Sequence, residues 1–170
     1  MAKKNGSGPK KTRSGKADGQ PTEHWSDQPQ EHDYPAAASY LGLVSGQPQV
    51  LRLVAALRSA PVERHLAKDL LRASGLGLLP MDNAHVAADL ATIRHGEKLS
   101  PVLLVRGDIG RALPLTIADG YHRVCASYYV DENEPIPCHL VDAVPSAAPP
   151  GQRGGRSASI SSPGGSIAVN

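Results

Sequence analysis

The chain has no phenylalanine, and one tryptophan with five tyrosines supplies all of its aromatic rings. Any core must therefore rest on Leu, Val, Ile and Ala. Cysteine is scarce too. With only Cys125 and Cys138, a disulfide-stapled secreted scaffold is excluded, and a reducing, cytoplasmic setting is the expectation. No apolar run is long enough to span a membrane, and the basic N-terminus is not followed by the apolar stretch of a signal peptide. A formal net charge of +2 is too small to argue nucleic-acid binding by itself.

Glycine (17) and proline (15) run somewhat high, and they concentrate at the two ends. Residues 1–33 are polar, with Trp25 the single large apolar side chain, and are predicted to form a disordered tail. Its first half carries Lys3, Lys4, Lys10, Lys11, Arg13 and Lys16 ahead of the first acid, Asp18. Such an arm can touch nucleic acid weakly through charge, although a solubilising tail is the simpler reading. Residues 144–170 are dominated by Ser, Gly and Pro and are predicted to be a second disordered tail.

About 110 residues lie between the tails, enough for one modest core. Residues 34–78 read as helical. Pro35 opens a short helix, Val50, Leu51, Val54 and Leu57 recur at helical spacing, and so do Val62, Leu66, Leu70 and Leu71, with Gly75 as the stop. Asp82 or Asn83 is placed to cap a further helix that presents Val86, Leu90 and Ile93 and ends at Gly96. The period then changes. Val102–Val105 and Leu113–Ala118 read as strands, residues 121–129 as a helix, and Ile136–Val141 as a closing strand. The expected order is helices first, then β-β-α-β.

The strand-to-helix junction at Asp119-Gly120 carries the chemistry. Glycine permits a tight backbone there, and the first N–H groups of the following helix lack internal acceptors at its positive dipole end. Arg123 in the first turn adds a planar fork, and His122 a group that donates, accepts or titrates near neutrality. The sum is an anion site of unspecified ligand. Each group also has a plainer use. Arg123 can brace the helix start or pair with Asp119, His122 can space hydrogen bonds, and Asp119 can cap the helix. Tyr121 can stack on a base, Tyr128 belongs to the core, and Lys68, Asp69 and Arg72 form a solvated helix face. Cys125 and Cys138 with His122 and His139 do not fit zinc-ligand spacing, and the cysteines read as small core residues. Asp108, Asp119 and the more distant Glu97 are the acids within reach of a phosphate, and no recognised motif makes them a metal site.

Three segments together resemble the ParB/sulfiredoxin-like domain: Ser100–Arg106, then Leu115–Ala126 with its Asp119-Gly-Tyr-His-Arg123 turn, then Ile136–Val141. The resemblance covers about 60 residues within 79–143 and implies an α/β (α+β) fold with a β-β-α-β core behind an N-terminal helical layer. It implies a nucleotide or other phosphate held by Gly120, Tyr121, His122 and Arg123, with Arg106 as a further contact. It also implies a nucleoside triphosphate, CTP or ATP, with Mg2+ as the ligand. Nucleotide hydrolysis or phosphoryl transfer is the corresponding activity, with Asp119 and His122 as the candidate catalytic groups. Sulfiredoxins carry their reacting cysteine where this chain has Tyr121, so reductase chemistry is not expected. The helix-turn-helix of segregation proteins has no counterpart in the Ser/Gly/Pro tail, so site-specific DNA clamping is not expected either. A non-catalytic protein- or DNA-associated module using the basic arm is the alternative.

Overall fold

The computed structural model describes residues 24–143. The basic arm Lys3–Lys16 and the tail 144–170 lie outside the described residues. Helices α1 (Asp33–Val44) and α2 (Gln47–Ser59) come first, followed by strand β1 (Val62–Leu66) and helices α3 (Ala67–Ser74) and α4 (Ala84–Arg94). Strand β2 (Val102–Arg106), a 3-10 turn at Ile109–Arg111, β3 (Thr116–Asp119), α5 (Tyr121–Val130) and β4 (Pro135–Asp142) complete the order. The described residues thus form a mixed α/β domain around a four-stranded sheet in the order β1-β4-β2-β3. Only the β2–β4 pair is parallel, and it is joined through β3 and α5.

Alternation along the central strands divides the core into two layers. Val102 and Leu104 of β2 and Ile136 and Cys138 of β4 face α3, α4 and α5. Leu103 and Val105 point the other way, onto Leu41, Val50, Leu53 and Leu57 of α1 and α2. With no phenylalanine available, both layers are aliphatic apart from Trp25 and a few tyrosines. Local signals hold where they are strong. Asn83 caps α4, its side chain accepting from the N–H groups of His85 (3.1 Å) and Val86 (3.3 Å). Gly75 ends α3 in the left-handed region at φ 67°.

Two expectations need correction. Val62–Leu66 is a strand, not the first turn of a helix, and the helix starts only at Ala67. The four-residue spacing of Val62 and Leu66 suits either period, because both also fall on alternate positions of a strand. Pairing decides it: β1 supplies the antiparallel neighbour that β4 needs on that side, with Arg64 opposite Pro137 and His65 opposite Ile136. The second correction concerns residues 24–33, which belong to the folded domain. Trp25 is 4 % exposed and sits in the α3–α5 layer. Its segment is tied to Leu99 by a bridge, with Ser26 N–H donating to Leu99 O and Leu99 N–H to His24 O, both at 2.8 Å.

Candidate functional site

The chain leaves β3 at Asp119 and enters α5 through Gly120, whose φ of 97° is in the left-handed region. A Cβ at Gly120 would come within 3.1 Å of Val102 and 3.3 Å of the Arg123 guanidinium carbon, so glycine is required by both backbone and space. No side chain caps α5. Asp119 is therefore not the helix cap that its position suggests. It turns instead to Arg123.

Arg123 lies at the centre of a buried latch. Its guanidinium pairs with Asp119 and with Asp33 of α1 (3.3 Å), and donates to the carbonyls of Ser100 (2.6 Å) and Pro101 (3.2 Å). Asp33 also accepts from the Ser100 hydroxyl and from the Gln30 N–H at 2.7 Å. One side chain thereby ties α1, the approach to β2, β3 and α5 together. Asp33 had no signal in the sequence beyond being an acid at a helix start, because its partner stands 90 residues away.

A cavity of about 200 Å³ opens over the first turn of α5, walled by His85 and Asp89 of α4 and by Asp119, Gly120, His122 and Arg123. A neighbouring cavity of about 410 Å³ shares Asp89, Asp119 and Arg123 and extends to Asp33, Glu97 and Ser100. The His85 and His122 rings lie 4.7 Å apart between centroids. His122 titrates below its ordinary value, first because of burial and then because of His85, against the opposing pull of Asp89 and Asp119. The shift favours the neutral imidazole near pH 7. Burial raises Asp89 against the attraction of Arg123 and the two histidines. Asp119 is raised as well, because burial and the nearby Asp33 outweigh its contact with Arg123.

Of the residues predicted for the site, Gly120, Tyr121, His122, Arg123 and Asp119 come together by construction of the turn. Tyr121 donates its hydroxyl to the Gly77 carbonyl, so its ring braces the loop before α4 and is not free to stack on a base. Arg106 is not part of the site. It stands at the far end of β2, roughly 13 Å along the strand from Val102, and pairs with Asp142 at 2.7 Å. Asp108 lies in the turn beyond it, 3.5 Å from Arg111, and Lys68 bonds Asn133 at 2.5 Å. Glu97 does reach the larger cavity. His85 and Asp89 were missed, although both lie on the helix predicted at 82–96. The polar face of a helix carries no mark of what it will meet.

Among the described residues no group of three His, Cys, Asp or Glu side chains is arranged to hold a metal ion, and no helix is long and apolar enough to cross a membrane. The cysteines are buried away from the cavity, and burial pushes the Cys138 thiol up to about 12. A third cavity, about 390 Å³, is walled by His65, Asp69 and Arg106 together with Leu70, Leu104, Leu115 and Leu140, away from the α5 turn.

The raised Asp89 gives a direct test of the site's electrostatics. A carboxyl that holds its proton more tightly in the folded than in the unfolded chain lowers stability once it is charged, that is, as pH rises through its folded value. Asp89→Asn should therefore stabilise the protein modestly at pH 7, because solvent screens much of the field at a half-buried carboxyl. That gain should shrink as pH falls toward the ordinary carboxylate range. Urea melts of both proteins between pH 7 and pH 4,, check it, and a loss of stability at pH 7 would refute it.

No protein-family model, curated protein or solved structure matches this chain significantly.

Proposed function

We propose that this chain is a ParB/sulfiredoxin-like domain that binds a phosphate-bearing ligand at the first turn of α5, with a nucleoside triphosphate and its Mg2+ as the leading candidate. One observation carries the reading: a glycine-led, uncapped helix start opens onto a cavity walled by two histidines. Helix N–H groups without internal acceptors bind phosphate oxygens, and a neutral imidazole N–H adds a side-chain donor.

The charge of the site says how the phosphate would arrive. Asp33, Asp89 and Asp119 surround a single guanidinium, so a bare polyanion meets net negative charge. A Mg2+ carried by the phosphates would offset that charge, held on the protein side by Asp89. Gly120 lets the turn pack against Val102 and Arg123, His122 and His85 supply donors, and Arg123 positions the turn while its fork is engaged with protein acceptors. In a hydrolase or phosphotransferase reading, His122 is the better proton acceptor, since Asp119 is committed to Arg123.

The test is calorimetric titration of the full chain with ATP, CTP and GTP, with and without Mg2+. Saturable, Mg2+-dependent binding is expected, weakened about tenfold or more in His122→Ala, because a hydrogen bond to a charged group is removed. No saturable binding by a protein that shows a folded circular dichroism spectrum would overturn the reading. The remaining reading would then be an interaction module using the basic arm, which predicts steep salt dependence.

A further inference from the structure

We propose that β1 is a dimerisation edge: two copies of this chain pair their Val62–Leu66 strands antiparallel about a two-fold axis through Arg64, normal to the sheet. The two four-stranded sheets then become one of eight. β1 ends the sheet on its side and, among the described strands, pairs with β4 alone. Such an edge offers a row of unpaired N–H and C=O groups to a further strand. The opposite edge, β3, has four residues and packs against α1.

The five side chains select both the partner and the register. A two-fold normal to the sheet keeps each face on its own side, so a residue can oppose only residues of its own face. Glu63 and His65 share the face of Cys138 and Ile136, their partners on β4, while Val62, Arg64 and Leu66 share the other. Centring the axis on Glu63 sets two carboxylates opposite each other. Centring it on His65 opposes two imidazoles and leaves Glu63 off the strand pairing. Centring it on Arg64 places Glu63 opposite His65 of the second copy, twice, and Val62 opposite Leu66. An imidazole N–H directly across a strand pair can donate to a carboxylate, whereas two carboxylates set opposite each other repel.

Glu63 and His65 already lie 3.2 Å apart within one strand, both about two-fifths exposed, so pairing closes an alternating ring of four groups. Val62, 40 % exposed, gains an apolar neighbour. The two Arg64 side chains oppose each other at the axis. Each guanidinium is drawn back toward the Pro135 carbonyl of its own chain at 3.4 Å, which takes charge off the axis. These same charges blunt pairing with unrelated strands. Two five-residue strands bury less than the roughly 1,200 Å² of a standard interface, so the dimer is a weak one.

Sedimentation velocity of the full chain from about 5 to about 500 μM should show a reversible monomer–dimer equilibrium. Glu63→Lys should raise its dissociation constant about tenfold or more, and Glu63→Lys/His65→Glu should restore it. Arg64→Cys tests the register by itself: the axis sets the new thiol against its own copy, so mild oxidation should give a disulfide-linked dimer, while Cys125 and Cys138 stay buried. A chain that is monomeric throughout, a dimer indifferent to Glu63→Lys, or an Arg64→Cys protein that fails to cross-link would each overturn the proposal. Should Glu63→Lys fail to fold, the cross-link decides.

Discussion

Replacing Arg123 with alanine is expected to cost the fold about 3–5 kcal/mol, the range seen when one partner of a buried ion pair is removed. The Arg123 side chain is 12 % exposed and the Asp33 carboxylate 4 %, so solvent does little to screen the pair. Alanine would leave the Asp119 carboxylate and the carbonyls of Ser100 and Pro101 short of their donor. Asp33 would keep the Ser100 hydroxyl and the Gln30 N–H but lose its counter-charge. Against a typical domain stability of about 5–15 kcal/mol, the loss lowers the melting temperature by roughly 10 °C or more. Thermal and urea melts measure it directly, and a cost under about 1 kcal/mol would show that water readily replaces the guanidinium.

The same variant separates two views of the arginine. As a ligand fork, it would be dispensable for folding and essential for binding. As a latch, it is needed first to hold the turn in shape. Arg123→Lys distinguishes charge from geometry, because one ammonium cannot serve two carboxylates and two carbonyls set around a planar fork. Most of the stability loss should persist in the lysine variant. Combining Arg123→Ala with Asp33→Asn should recover part of it, since the double variant no longer leaves Asp33 charged without its partner. This is why the binding test rests on His122, which faces the cavity and takes no part in the latch.

What the sequence made legible follows the range of each signal. The Asn83 cap, the Gly75 stop and the Gly120 turn are local, and each appears where its residue type requires it. Val102–Val105 was readable as a strand because a short aliphatic run buried on both faces has few alternatives. β1 was not, because Glu63, Arg64 and His65 carry no strand signal, and only the distant β4 makes that segment extended. The candidate site shows the same limit. Its turn is local and was found, whereas Asp33, His85 and Asp89 arrive from elements 30 to 90 residues upstream. Arg106 is the converse case. The family resemblance implied a phosphate contact for it at the end of β2, and strand direction carries it to the far end of the sheet from the Asp119 turn.

Trp25 marks the strongest case of such long-range capture, and its removal should rival that of Arg123. Compositional reasoning assigned it to a tail, because a lone indole among polar residues gives no periodicity to read. The indole is buried in the α3–α5 layer beside Leu99, and the backbone bonds of His24 and Ser26 to Leu99 hold the segment in place. Trp25→Ala is expected to cost about 3–5 kcal/mol, as large-to-small replacements of buried tryptophan do. The indole N–H finds no acceptor among the described residues, so its contribution is apolar. Trp25→Phe should therefore cost well under half as much, which a hydrogen-bonding role would not allow. As the chain's one tryptophan, it reports on itself by fluorescence. If residues 24–26 fold as part of the domain, urea transitions followed by Trp25 emission and by circular dichroism must coincide. An emission change that precedes the loss of helix would instead make the segment a strap that opens on its own, and would place the cost of Trp25→Ala in that local opening and not in the fold.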